Sequence, residues 1–165
     1  MRVEELNEAD RTDVVAFLRP CLGIERWIDE VADSRPYPDL NSLLAAGRRA
    51  ADPFTPAELE AALAHHPRIG ERAPGTSAEA RLSTSEQAGL GAENPELAQA
   101  LADGNRNYEE RFGQVFLIRA AGRSREEILN ALHARLSHTP EQEERIIGEQ
   151  LREIAVLRLE GMMSK

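Results

Sequence analysis

A single cysteine, Cys21, is all the thiol this chain carries. That excludes an internal disulfide framework and any cysteine-rich zinc module. Its apolar neighbours in "FLRPCLGI" predict a buried side chain. Aromatic residues are also scarce, at 4%, while Ala, Leu, Glu and Arg abound, a balance that favours helices. Positive charge is outnumbered: 20 Lys and Arg face 29 Asp and Glu, for a net charge of −9. The arginines are scattered among acids, so the cationic stripe that grips a phosphate backbone is missing and nucleic acid is not expected as a partner. No stretch approaches the roughly 20 apolar residues of a membrane span. The acidic start "MRVEELNEAD" lacks an apolar signal core, and "GMMSK" is not a peroxisomal address. A cytoplasmic protein without a membrane partner is the expectation. With 41% hydrophobic and 30% charged residues over 165 positions, residues 1–165 are expected to form one globular domain rather than a disordered chain.

What is present is mostly helix punctuation. Asn7 is placed to cap a helix running to about Leu18, which Pro20 stops. "IERWIDEVADS" puts Ile24, Trp27, Ile28 and Val31 on one face, and "SLLAAGRRAA" follows a turn-rich stretch. Thr55-Pro56-Ala57-Glu58 reads as a capping box with proline at the first helical position, opening a helix that runs into His65 and His66. After the loop "PRIGERAPGT", "SAEARLS" suggests a short helix and Ser83 with Glu86 suggests the start of another. Asn94-Pro95, Ser124 with Glu127, and Thr139-Pro140 with Gln142 each mark a further start. The last helix carries an apolar stripe of Ile147, Leu151, Ile154 and Leu157. "VFLI" at 115–118 fits a strand or a buried connection equally. The fold expected is an all-α single-domain bundle of about eight helices.

Chemistry has few places to sit. Adjacent helical residues point about 100° apart, so His65 and His66 share a site only if the helix ends before they do. Pro67 pushes its predecessor away from helical dihedrals, presenting His66 at the edge of a loop, a posture suited to a proton donor or acceptor near neutral pH. A helix-end histidine complementing the macrodipole is the plainer explanation. A catalytic metal is not expected. There are four histidines, none at the spacing of a His-Glu-x-x-His helix, and His133 and His138 look like surface or helix-end residues. "LSTSEQAGL" holds the other polar cluster. Ser83 and Glu86 fit a capping box, yet Ser, Glu and Gln at a helix start also suit a polar anion. Gln87 has one donor and one acceptor group for an amide or ureide. Nucleotide-binding glycine motifs and a nucleophile elbow are missing.

Four stretches taken together resemble one family: "HHPRIGE", "LSTSEQAGL", "NRNYEERFGQVFLIRAAGRSREEIL" and "ARLSHTPEQEERIIGEQLREIAVLRL". Their order, with His-Pro, Ser-x-x-Glu-Gln, Tyr-x-x-x-Phe-Gly and a Glu-rich terminal helix, is similar to that of the 2-oxo-4-hydroxy-4-carboxy-5-ureidoimidazoline (OHCU) decarboxylases. The stretch from "VVAFLRP" to "NSLLAAG" resembles the family's start. The resemblance implies loss of carbon dioxide to give (S)-allantoin in urate breakdown, without metal or organic cofactor, on an all-helical and commonly dimeric fold. Carried onto this chain it makes His66 the catalytic acid, with Glu86 beside it. Pro67, Ser83, Thr84, Ser85, Glu86, Gln87, Phe116, Leu117, Ile118, Arg119 and Ala120 become the lining of the site for the ureide. The segment 116–120 would then read a polar ligand through its backbone amides and carbonyls. Arg119 stands where many members carry a small or apolar residue, and both a substrate carboxylate contact and an outward salt bridge are open to it. His65 is a rival for His66, although the His-Pro pairing favours the latter. Two other readings stand beside this one: a non-catalytic helical binding or interaction domain on the same scaffold, and a decarboxylase for a related ureide.

Overall fold

The computed structural model describes residues 1–71, 75–90 and 94–164. Among them are nine helices and no strand: α1 (Val3–Glu8), α2 (Arg11–Leu18), α3 (Glu25–Asp33), α4 (Leu40–Ala50), α5 (Pro56–Leu63), α6 (Ala78–Ala88), α7 (Pro95–Phe112), α8 (Arg125–Arg135) and α9 (Pro140–Met162). The all-α expectation holds. The chain packs as two compact units, one of Met1–Ala62 with the chain from Leu151 onward, the other of Leu63–Gln150.

In the first unit, the face of α3 read from the sequence is the buried one: Trp27, Ile28 and Val31, with Ile24 just before the helix. Trp27 donates its indole N–H to the carbonyl of Gly47 at 2.9 Å, so its large apolar area is buried without stranding its one polar group. A Cβ at Gly47 would meet Leu159 and Trp27 at 3.4 and 3.6 Å, ordinary van der Waals contact. Cys21 is buried as expected, and burial pushes its thiol up to about 12.

Two sequence expectations fail in this unit. Asn7 does not open a helix. It lies inside α1, and its amide exchanges two 2.8 Å hydrogen bonds with the backbone of Tyr37. Asp10 is the N-cap residue of α2, so one expected helix is two. Leu157 is also off the stripe, at 41% exposure. The buried row on α9 runs Ile147, Leu151, Ile154 and then Arg158, whose Nη1 reaches the carbonyl of Pro20 at 3.1 Å. A guanidinium on a long aliphatic stem fills a position the sequence pattern had given to a leucine.

The second unit holds the residues singled out for chemistry. Its core joins Ile69, Leu90, Leu101, Tyr108, Phe116, Ile118, Ala120, Ile128 and Leu132. α7 starts at Asn94, whose side chain accepts from the N–H groups of Glu96 and Leu97. It ends at Gly113, in the left-handed region at φ 71°, where a side chain would be strained. α8 starts on the Ser124 hydroxyl. α9 opens on reciprocal bonds between Thr139 and Gln142, at 2.8 and 3.2 Å.

Candidate active site

The first component is the end of α5. Thr55 and Glu58 exchange backbone–side chain bonds of 2.8 and 3.1 Å at its start, the capping box read from the sequence. The helix ends at Leu63, before both histidines rather than between them. Pro67 explains this: a continuing helix would need an N–H at 67 for the carbonyl of Leu63, and proline has none and clashes there. The His66 N–H closes the last turn on that carbonyl instead, at 3.2 Å. His65 is exposed, whereas His66 and Pro67 are half-buried.

The chain then makes a turn from Arg68 to Glu71, closed by the Glu71 N–H on the Arg68 carbonyl at 3.0 Å. Gly70, the third residue of the turn, takes φ 91°, a left-handed conformation that glycine adopts without steric cost. Three side chains fix this turn. Asn105 of α7 donates to the Ile69 carbonyl at 3.1 Å. Gln87 accepts from the Gly70 N–H at 2.9 Å and donates to the Glu71 carbonyl at 3.1 Å. Arg68 pairs with Glu109 through Nε and Nη2.

The second component, α6, corrects the sequence reading. Ser83 opens no helix. Ser77 is the cap, accepting from the Ala80 N–H at 3.1 Å, and one helix runs unbroken from Ala78 to Ala88. A Ser-x-x-Glu pattern caps only where the preceding backbone is non-helical, and "AEARL" contains nothing that breaks a helix. The run 83–87 therefore sits in the C-terminal half of α6, and the positive end of the helix dipole is not available to a ligand there. Within that run Ser83 is buried and Ser85 exposed, while Thr84, Glu86 and Gln87 are half-buried. The Thr84 hydroxyl donates to the carbonyl of Ala80 at 2.9 Å. Ser83, Glu86 and Gln87, three and four apart, share one face. Gln87 already uses both ends of its amide on the turn after His66-Pro67, so its evident task is to hold that turn.

The third component is Phe116–Ala120, which is neither helix nor strand; the connection reading of "VFLI" is the right one. Phe116, Leu117, Ile118 and Ala120 are buried and Arg119 is half-buried. Protein groups hold its backbone at several points. Arg135 donates to the Leu117 carbonyl at 2.7 Å, and the Arg119 N–H donates to Gln150 at 2.9 Å. Arg123 reaches the Arg119 carbonyl through Nε at 2.9 Å and the Ala120 carbonyl through its N–H at 3.1 Å.

One apolar cluster joins these three components: Ile69 follows His66-Pro67, Leu90 follows α6, and Phe116, Ile118 and Ala120 belong to the connection itself. Segments far apart in the chain are thus fixed on one packed base. A family profile described as "OHCU decarboxylase" matches residues 7–160. The chain belongs to this family.

Individual relatives agree. The 2-oxo-4-hydroxy-4-carboxy-5-ureidoimidazoline decarboxylase of Haloferax volcanii is 29% identical over 161 residues, 96% of this chain and 94% of that protein. The protein of the same name from Amia calva is 32% identical over 135 residues, 81% of this chain and 77% of its own. A uric acid degradation bifunctional protein from Bacillus sp. is 26% identical, and this chain spans 32% of its length. Among solved structures, an OHCU decarboxylase crystallised in the presence of (S)-allantoin superposes with a TM-score of 0.72 at 23% identity, over 95% of this chain and 100% of that one. That likeness shows a shared fold.

Sequence reasoning missed several residues that build this OHCU decarboxylase fold around the candidate site. Glu143 is 0% exposed and Arg135 4%, and they pair at 2.8 Å. His138, read as a surface or helix-end residue, does follow the end of α8, and its Nδ1 lies 2.9 Å from Glu143 Oε2. Burial pushes the Tyr108 hydroxyl above its ordinary range, and its hydrogen bond to Glu143 adds to that. A signal did exist. Glu143 continues the Ile147–Leu151 row four residues earlier, and Arg135 continues the Ile128–Leu132 row of α8. A charged residue on an apolar face, rather than its mere presence, marked each.

Proposed function

We propose that this chain decarboxylates 2-oxo-4-hydroxy-4-carboxy-5-ureidoimidazoline to (S)-allantoin, the last step in converting urate to that product. The observation that carries this reading is the shared base beneath His66-Pro67, α6 and Phe116–Ala120, together with family membership over nearly the whole chain.

The chemistry asks little of a cofactor. The substrate carbon that bears the carboxylate also bears a hydroxyl, and the neighbouring ring carbon is doubly bonded to nitrogen. As the carbon–carboxylate bond breaks, its electron pair forms a new bond between the two ring carbons, the C=N electrons move to nitrogen, and carbon dioxide departs. The ring nitrogen takes up a proton. The enol-like product then loses its hydroxyl proton and gains one at the ureido-bearing carbon. The substrate is its own electron sink, the task a cofactor performs in other decarboxylases.

The protein must hold the carboxylate out of the ring plane, stabilise the charge entering the ring and deliver the last proton to one face. His66, on a backbone stiffened by Pro67, is the proposed acid. Glu86 is proposed to orient it or to take the hydroxyl proton. Ser83, Thr84 and Ser85 are proposed to complete the α6 side of the site while Gln87 holds the turn after His66-Pro67, with Arg119 beside the substrate carboxylate. A cytoplasmic setting and a homodimer are further proposals that rest on family membership, and light scattering on the purified chain tests the second.

The decisive experiment supplies freshly made urate-oxidation intermediate to the purified chain and follows the circular dichroism of (S)-allantoin. A rate above spontaneous decay is expected. A rate equal to background overturns the reading.

A further inference from the structure

Glu143 near the start of α9 is entirely removed from solvent, yet its carboxylate is satisfied from three directions. Oε1 accepts from the Tyr108 hydroxyl at 2.6 Å and from Arg135 Nε at 2.8 Å, and Oε2 lies 2.9 Å from His138 Nδ1. Arg135, at the end of α8, extends the array. Its Nη1 donates to the Leu117 carbonyl at 2.7 Å, and its guanidinium carbon stands 4.4 Å from the centroid of the Phe116 ring. Its Nη2 makes no hydrogen bond among the described residues.

A buried ion pair is a poor way to add stability, since hydrophobic residues of similar volume often serve as well or better. A guanidinium offers geometry instead: a rigid planar fork whose arms leave at fixed angles. Here one arm is fixed by Glu143, one holds a carbonyl, and the plane lies against a ring. The third arm makes no hydrogen bond among the described residues, so the array favours placement over the number of bonds made. The segment it places is Phe116–Ala120, which has no strand ladder to set its register.

We infer that Arg135, held by Glu143, is a positioning residue that sets the backbone of Phe116–Ala120 for recognition of the substrate. This rests on the decarboxylase reading above. The ring and ureido groups that this backbone would read persist from bound substrate to transition state, so a displaced segment weakens both alike. The consequence is a raised KM with kcat nearly kept.

Tyr108 supplies the internal control. Its ring packs edge-on against Phe116 at 5.2 Å between centroids, and its hydroxyl bonds Glu143. Tyr108→Phe keeps the ring, the guanidinium and the Leu117 contact. The test compares Arg135→Lys and Tyr108→Phe by melting temperature, steady-state kinetics and amide hydrogen exchange of the 115–121 peptide. Both variants are expected to melt earlier. Only Arg135→Lys is expected to raise KM, by about five- to tenfold, as for one lost hydrogen bond, and to quicken exchange in that peptide. Should Arg135→Lys fail to fold, Glu143→Gln keeps the volume while releasing the charged grip, and a smaller rise in KM with faster exchange is expected.

The inference is overturned if KM and exchange follow melting temperature equally in both variants, or if neither moves in the Arg135 or Glu143 variant. If the wild-type chain shows no turnover, the functional reading fails alone. The exchange pattern still decides whether Arg135 fixes the segment.

Discussion

The side-chain oxygen of Gln87 accepts the backbone N–H of Gly70 at 2.9 Å. Its amide nitrogen donates to the carbonyl of the next residue, Glu71, at 3.1 Å. A side chain one residue beyond Glu86 therefore fixes the turn that follows His66-Pro67. Gln87→Glu is nearly isosteric and keeps the acceptor, but sets a carboxylate oxygen against the Glu71 carbonyl. Stability should fall by about 1 kcal/mol, the scale of one hydrogen bond. The kcat/KM should fall by about tenfold or more, because small misplacements are costly in catalysis. Parallel urea titration and kinetics check this. An unaltered kcat/KM would show that the turn does not depend on the clamp.

His66 lies outside any helix, and its backbone bond to Leu63 survives any side-chain change. His66→Asn should therefore fold with stability within about 1 kcal/mol of wild type. Turnover should drop by about a hundredfold or more, the usual scale for losing a general acid. Protonation in free water favours neither face of the planar intermediate, so residual product should carry no circular dichroism. Persistent (S)-allantoin formation would shift the proton donor elsewhere, with His65 the first alternative.

Where the sequence was legible, one segment contained both the cause and its effect. The Thr55–Glu58 and Thr139–Gln142 boxes, the Asn94-Pro95 start and the α3 stripe all appear as read. The early end of α5 follows from Pro67 alone. Local pattern failed where a distant partner decided the outcome. Asn7 looks like a cap, but the Tyr37 backbone claims its amide. Ser83 and Glu86 match a capping box that Ser77 had already made unnecessary. Several glutamates crowd the start of α9, and beyond its place on the apolar row it is contacts with Tyr108, Arg135 and His138 that distinguish Glu143 from its neighbours. The three site components, Gln87 among them, were nameable from the resemblance, but Asn105, Arg135 and Glu143, which help hold them in place, were not.

Gly104 of α7 faces Leu132 of α8. A Cβ there would sit 2.7 Å from Cδ2 of Leu132 and 3.1 Å from its Cδ1. Leu132 is fully buried in the cluster beneath the candidate site, so its side chain has little room to retreat. Gly104→Ala gains up to about 1 kcal/mol of helix propensity against an overpacking cost of about 1–3 kcal/mol. Net destabilisation is expected. Leu132→Val removes the clashing methyl groups, so the double variant should be more stable than the two single losses added together. A double-mutant cycle by urea denaturation measures this, and strict additivity would show that the helices separate freely.

Glu58 couples the start of α5 to α3 within the first unit. Burial raises its carboxyl, but the Arg26 guanidinium, bonded at 2.8 and 3.3 Å, and the Thr55 N–H at 2.8 Å outweigh that and hold it below its ordinary 4.5. A carboxyl whose folded value is depressed binds its proton more readily in the unfolded chain. Its stabilising contribution is therefore complete above the unfolded value and disappears as pH falls through the folded one. Glu58→Gln should accordingly be less stable than wild type by a constant margin between about pH 8 and pH 5, and that margin should shrink below about pH 4.5. Urea midpoints for both proteins near neutrality, at about pH 5 and at about pH 3.5 provide the comparison. A margin that stays fixed into the acid range would mean that the carboxylate charge of Glu58 adds nothing to stability.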